Sequence, residues 1–139
     1  MTYVPNNLDA PLDCDAIVVT CIDFRFQRLF ERWIRENFDY RNYDRVAYAG
    51  SIMNWEAIFP QIEFAERIHF IKRVVLINHE DCRAYGEAGT FDRHVSDLRQ
   101  ARSRILEKFP VLTVDLYYAR LAGYLERVSV QAVARSTKY

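Results

Sequence analysis

Apolar residues along the chain fall into two kinds of run: short continuous ones rich in β-branched side chains, and longer ones recurring every three or four positions. Asp15-Ala16-Ile17-Val18-Val19-Thr20 is of the first kind and predicts a strand buried on both faces. Phe26, Leu29, Phe30, Trp33, Ile34 and Phe38 are of the second kind and predict an amphipathic helix with charges on its other side. A polar, turn-like stretch over Asp39–Asp44 leads to a weaker strand, Arg45–Ala49, closed by Gly50-Ser51. Ala57, Ile58, Ile62, Ala65 and Ile68 predict a helix starting near residues 51–55 and broken or kinked around Pro60. Arg73–Asn78 gives the strongest strand signal, and residues 79–89 read as a loop or short helix. Phe91, Val95, Leu98, Ile105 and Leu106 predict a long helix ending before Pro110. Val111–Tyr117 is the last predicted strand. The lead-in over Pro5–Pro11 and the tail beyond the last strand carry no regular pattern.

Strands alternating with helices predict an α/β domain spanning 1–139. Its expected core is an open, mostly parallel sheet of about four strands, with right-handed crossovers and helices on both faces. Such sheets bind ligands beyond the carboxyl ends of their strands, where the strand order reverses. If the first and third strands are neighbours with the second outside the first, Cys21 and His79 meet at that reversal.

Composition narrows the partners more than the fold. Half of the 139 residues are hydrophobic and 27% are charged, which is a globular balance. The formal net charge is zero, so neither nucleic acid nor an anionic membrane surface is an expected partner. The apolar runs are strand-sized, too short to span a bilayer. Met1–Asn7 lacks the charged and apolar regions of a secretory signal, and a cytoplasmic location is expected. Aromatic residues make up 14% of the chain, a richness that fits burial against a second copy in a homodimer or larger homo-oligomer. The three cysteines, Cys14, Cys21 and Cys82, are an odd number, which speaks against a disulfide framework and for metal or thiol chemistry.

Two predicted strands end in chemistry: Cys21-Ile22-Asp23-Phe24-Arg25 follows the first and His79-Glu80-Asp81-Cys82 the third. Zinc takes thiolate and imidazole ligands in a tetrahedron, and catalytic sites hold it with three protein donors and an open fourth position. His79 and Cys82 are about one turn apart, and Cys21 offers a third donor from the other strand. Buried thiols and a hydrogen-bonded loop histidine would explain either half alone. The two halves together, at two strand ends, point to a metal, and the thiolates favour zinc. Asp23 and Arg25 follow Cys21 at two-residue steps, which in extended chain puts all three on one side. An Arg fork can grip the carboxylate through both oxygens and leave it free to accept a hydrogen bond from bound water. The alternative is a surface ion pair of little consequence. Cys14 reads as a spare thiol, His69 and His94 as structural or surface residues, and Glu80 and Asp81 as a solvated loop face. Gly86 and Gly89 lack the strand-preceded fingerprint of a nucleotide loop. No C-x-x-C spacing supports redox chemistry by Cys21 and Cys82.

C-x-D-x-R after the first strand, Ala49-Gly50-Ser51 after the second and H-x-x-C after the third occur in the order found in β-class carbonic anhydrases, and the chain resembles that family from about Asp15 to Tyr118. The resemblance implies that Cys21, His79 and Cys82 ligate Zn2+ and that Asp23 and Arg25 form the catalytic dyad. It also implies that Asp23 can become the fourth ligand in a closed, inactive form, and that Ala49, Gly50 and Ser51 border the substrate. The implied reaction is the reversible hydration of carbon dioxide to bicarbonate by zinc-bound hydroxide, in a pocket that Phe24 and Tyr85 could help to line. The chain has Ala47-Tyr48 where the family usually has Arg-Asn, and Asn78 and Arg83 where it usually has glycines. These departures keep two alternatives in view: hydrolysis of an analogue such as carbonyl sulfide or carbon disulfide, and a non-catalytic, zinc-stabilised relative.

Overall fold

The structure, a computed structural model, describes residues 8–9 and 11–131. The irregular lead-in expected over residues 5–11 lies mostly outside that range. Five strands form one sheet: β1 (Ala16–Thr20), β2 (Tyr43–Ala47), β3 (Arg73–His79), β4 (Thr113–Arg120) and β5 (Tyr124–Arg127). They run in the order β2-β1-β3-β4-β5. The first four are parallel, and β5 returns antiparallel to β4. The three helices are α1 (Gln27–Asn37), α2 (Trp55–His69) and α3 (Phe91–Lys108).

The sheet is mostly parallel, as expected, with one strand more than anticipated. Tyr124-Leu125-Glu126-Arg127 has neither a β-branched run nor a buried face, so its sequence reads as irregular. It forms because Tyr117–Arg120 offers it an open edge. β1 is buried along its whole length, as its unbroken apolar run requires. Strand side chains alternate between two apolar layers. Ile17, Val19, Val74, Leu76, Val114 and Leu116 pack against Ile58, Ile62 and Ala65 of α2 and Leu98, Ala101 and Ile105 of α3. On the opposite face Ala16, Val18, Val75 and Ile77 pack against Phe30 and Ile34 of α1 and against the flanking Phe26 and Phe38.

Several local boundaries differ from the sequence reading; β4, expected over Val111–Tyr117, runs over Thr113–Arg120. β2 begins at Tyr43, inside the stretch read as a turn, because Tyr43–Ala47 pairs in register with Ala16–Thr20. α2 runs unbroken through Pro60. Pro60 lies on the exposed face, where water can take up the Glu56 carbonyl left without its helical donor. The extended path expected through Asp23–Arg25 is instead a single 3-10 turn, Phe24–Phe26, capped by the Asp23 carboxylate, which accepts the Arg25 amide at 2.9 Å.

Candidate metal centre

With β1 and β3 adjacent and parallel, the residues just past their carboxyl ends face one another. The sulfurs of Cys21 and Cys82 and a ring nitrogen of His79 lie within 4.8 Å of one another, and all three residues are buried. Past His79 the chain must turn sharply to bring Cys82 back. It does so at Asp81, whose φ of +57° is left-handed, a conformation that Asp tolerates better than most residues. Glu80 anchors this loop to β4: its amide donates to the Ala119 carbonyl at 2.8 Å and its carboxylate accepts the Leu121 amide at 2.9 Å.

The donor set fits a zinc-like cation. The His79 Nδ1–H donates to the Glu80 carbonyl at 2.7 Å, leaving Nε2 as the free donor atom. That Nε2 is buried with no hydrogen-bond partner. A buried polar atom without a partner is costly, and a cation among the three donors would satisfy it. Fixing one imidazole nitrogen so that the other can ligate is the usual support behind a metal-bound histidine. The Gly50 amide donates to Cys21 Sγ at 3.3 Å. Chiefly the Cys82 thiol, then His79 and this amide, hold the Cys21 thiol well below the ordinary thiol range despite burial. Cys82 is pushed up, chiefly by the neighbouring Cys21 and by burial. The pair therefore sheds its first proton readily, and ligation would drive off the second.

Asp23 stands at the rim, with Oδ2 3.8 Å from His79 Nε2. Arg25 grips both of its oxygens, Nε to Oδ1 at 3.1 Å and Nη2 to Oδ2 at 2.7 Å. This hydrogen-bonded fork lowers the Asp23 carboxyl to about 2. The same guanidinium reaches across to the second motif, donating to the Asp81 carboxylate and backbone carbonyl, each at 3.0 Å. Arg25 thus bridges the β1 and β3 loops. Asp81, read from sequence as a solvated loop face, is the partner that makes this bridge.

The two departures from glycine have visible consequences. The Arg83 side chain is 84% exposed and turns outward to Asp81 at 3.4 Å, so it leaves the donor set clear. The Asn78 side chain points into the protein, where Nδ2 lies 3.1 Å from the Tyr85 hydroxyl and 2.8 Å from His94 Nδ1. The Tyr85 hydroxyl donates onward to Asp97 at 3.0 Å. His94 is fully buried, and burial lowers it to about 4, so it is neutral. Asn78, Tyr85, His94 and Asp97 form a polar network behind the donors. No spacing motif reveals it, although a polar residue ending so apolar a strand is a hint. Tyr85 packs against Cys21 and Cys82, whereas Phe24 is 86% exposed. Of the turn expected to border substrate, Gly50 and Ser51 are buried and Ala49 is exposed.

An α/β sheet of this order, with a Cys/His/Cys cluster at its central strand ends, defines a protein with the β-carbonic anhydrase fold. Solved structures agree. The carbonic anhydrase of Streptococcus mutans superposes with a TM-score of 0.60 at 11% identity, covering 88% of this chain and 87% of its own. That of Glaciozyma antarctica gives 0.59 at 14%, covering 86% and 85%. One of two tetrameric β-carbonic anhydrases from Sordaria macrospora gives 0.53 at 11%, covering 84% and 81%. The family described as "Putative carbonic anhydrase" matches residues 13–129, and the chain belongs to it. Among relatives, an uncharacterized protein of Rickettsia conorii is 27% identical over 135 residues, covering 84% of this chain and 73% of the relative. An uncharacterized protein of Rickettsia bellii is 24% identical, covering 84% and 82%.

Proposed function

We propose that this chain is a zinc-dependent lyase that interconverts carbon dioxide and bicarbonate. The observation that carries the reading is the buried donor set beside a carboxylate that an arginine holds at its rim. A zinc-stabilised domain needs only Cys21, His79 and Cys82; beyond its cap and bridge roles, Asp23 gripped by Arg25 and lowered to about 2 places an ionised acceptor at the rim, which hydration would use. Held by Cys21, His79 and Cys82, zinc supplies Lewis acidity that makes a water molecule acidic near neutral pH.

The protein's own side chains supply the rest. Asp23 stays ionised at any physiological pH and accepts a hydrogen bond from the attacking oxygen, setting its direction. Arg25 keeps Asp23 from swinging into the metal position and ties it to the Asp81 loop. Gly50 contributes through the Cys21 sulfur, to which its amide is bonded, so its role is to support a ligand; Ala49 and Ser51 flank it beside the substrate. Because Arg83 points away from the donors, it lends no support to a sulfur analogue over carbon dioxide itself.

We read the chain as one domain that works in the cytoplasm as a homo-oligomer. Ile22 and Phe24 are 57% and 86% exposed beside the dyad, as expected if a second subunit covers this rim. The three free thiols suit a reducing compartment. No helix among the described residues is long and apolar enough to cross a membrane.

The test is stopped-flow carbon dioxide hydration with zinc content measured on the same sample. Asp23→Asn is expected to keep one zinc at Cys21, His79 and Cys82 and to lose at least about a hundredfold in turnover, the lower range for removing a positioned acid–base group. Full turnover in Asp23→Asn would refute the role of the dyad. Bound zinc without hydration in the unaltered chain would refute the reaction.

A further inference from the structure

We infer that Cys14, Asp44 and His69 form a second metal site, which takes a zinc-like divalent cation at the opposite end of the sheet. A sulfur, a carboxylate oxygen and a ring nitrogen from these residues all lie within 4.8 Å of one another. They come from three places far apart in sequence: two residues before β1, the second residue of β2 and the last residue of α2. All three places border the amino ends of the strands, whereas Cys21, His79 and Cys82 lie at the carboxyl ends. The two donor sets therefore cannot share an ion.

The backbone fixes the second set in place. The Cys14 amide donates to the His69 carbonyl at 3.0 Å, and the Asp15 amide donates to the Asn42 carbonyl and side chain at 3.1 and 3.0 Å. The amides of Lys72 and Arg73 both donate to the Asp15 carbonyl, at 2.9 and 3.1 Å. Asp44 pairs with Ile17 in the β1–β2 register. An ion would thus find its donors already gathered and would not have to order the chain, which is the main entropic obstacle to such a site.

The chemistry of the set is that of a borderline cation. One thiolate, one carboxylate and one neutral imidazole sum to two negative charges, matching a divalent ion, and the sulfur and imidazole select against magnesium and calcium. His69 Nδ1 and Asp44 Oδ2 are 2.6 Å apart, with the side chains 28% and 29% exposed. A small rotation of the carboxylate toward solvent admits an ion, and solvent supplies its fourth ligand. The Phe64 ring stands edge-on to His69 at 5.5 Å and steadies the imidazole. An Asp44–His69 ion pair alone needs no sulfur, yet Cys14, which packs against the apolar layer, also brings its Sγ to this pair. The hydrogen bond of its thiol to the Ala16 carbonyl is a long 3.6 Å contact, weak enough for an ion to displace.

The test uses the full chain, stripped with chelator and titrated with Co2+, whose thiolate charge-transfer and tetrahedral d–d bands report sulfur ligation. Zinc per chain is measured after gel filtration. Two ions per chain are expected. Cys14→Ser should fall to one, keeping the carbon dioxide hydration of the unaltered chain as evidence of an intact fold and first centre. Asp44→Asn should weaken the second ion at least tenfold, and it carries the same test if Cys14→Ser does not fold. His79→Ala should weaken the other ion and spare this one. One ion per chain in the unaltered protein would overturn the inference, as would two ions whose affinities ignore both Cys14→Ser and Asp44→Asn.

Discussion

Gly50 joins the two halves of the candidate metal centre, and replacing it by alanine separates the physical effects that hold the halves together. Its φ is +80°, and a Cβ built there would meet Met53 Cε at 3.0 Å, Met53 Cβ at 3.1 Å and Ala84 Cβ at 3.2 Å. The left-handed backbone costs an L-residue about 1–2 kcal/mol. The Met53 side chain is 41% exposed and can shift its terminal methyl. Ala84 has no such freedom, because its Cβ moves only with the loop that carries Cys82. Crowding of this kind adds about 1–3 kcal/mol, for a total near 3 kcal/mol. At about 3–4 °C per kcal/mol for a chain of this size, Gly50→Ala should melt roughly 10 °C lower. Gly86→Ala is the control: its φ of +62° carries the same backbone cost, but nothing lies within 4 Å of the new Cβ. Only Gly50→Ala should also weaken zinc, by about tenfold or more, because the Gly50 amide supports the Cys21 sulfur. Thermal unfolding followed by circular dichroism, with zinc and with chelator, reads both effects. Equal losses in Gly50→Ala and Gly86→Ala, with unchanged zinc affinity, would refute the reasoning.

Two further outcomes follow from the site's charges. Arg25→Lys keeps the charge but loses the fork that grips Asp23 and reaches Asp81, so turnover should fall at least about tenfold while zinc is retained. Hydration restored to the original rate by lysine would show that charge alone suffices. His94 is held neutral with its folded value near 4, against about 6.5 for free imidazole. The unfolded chain therefore takes up the proton first as pH falls. This contribution to stability is complete above pH 6.5 and is lost between about 6.5 and 4, by roughly 3 kcal/mol. Urea unfolding of the chelator-stripped chain at pH 7 and 4.5 should show that loss, and His94→Phe should flatten it. An unchanged pH slope in His94→Phe would assign the acid sensitivity elsewhere.

Legibility in the sequence followed how local the cause was. β1 and β3 were plain because Ile17-Val18-Val19 and Val74–Ile77 are apolar without interruption, and each is followed at once by a ligand type. Their adjacency then followed from topology, and with it the meeting of Cys21, His79 and Cys82. β2 and β5 were poorly drawn because edge strands owe their form to a neighbour: Tyr43-Asp44 and Glu126-Arg127 are extended by pairing and carry no apolar signal of their own. Arg25 and Asp81 are far apart in the chain, as are Cys14, Asp44 and His69, and no spacing rule connects such residues. Asn78 reads from sequence only as a departure from the family pattern, because its partners Tyr85 and His94 lie elsewhere in the chain.

The donors Cys21 and His79 sit at the carboxyl ends of the neighbouring strands β1 and β3, separated by the α1-β2-α2 passage. An ion held between them would act as a cross-link across a closed segment on the order of sixty residues. Cross-links of that span restrict the unfolded ensemble and resist the separation of what they join. Since the donors meet only once β1 and β3 have paired, the cross-link would come late in folding. Its influence would therefore fall on the unfolding rate, and the same ion that we propose for the chemistry would set the lifetime of the folded molecule.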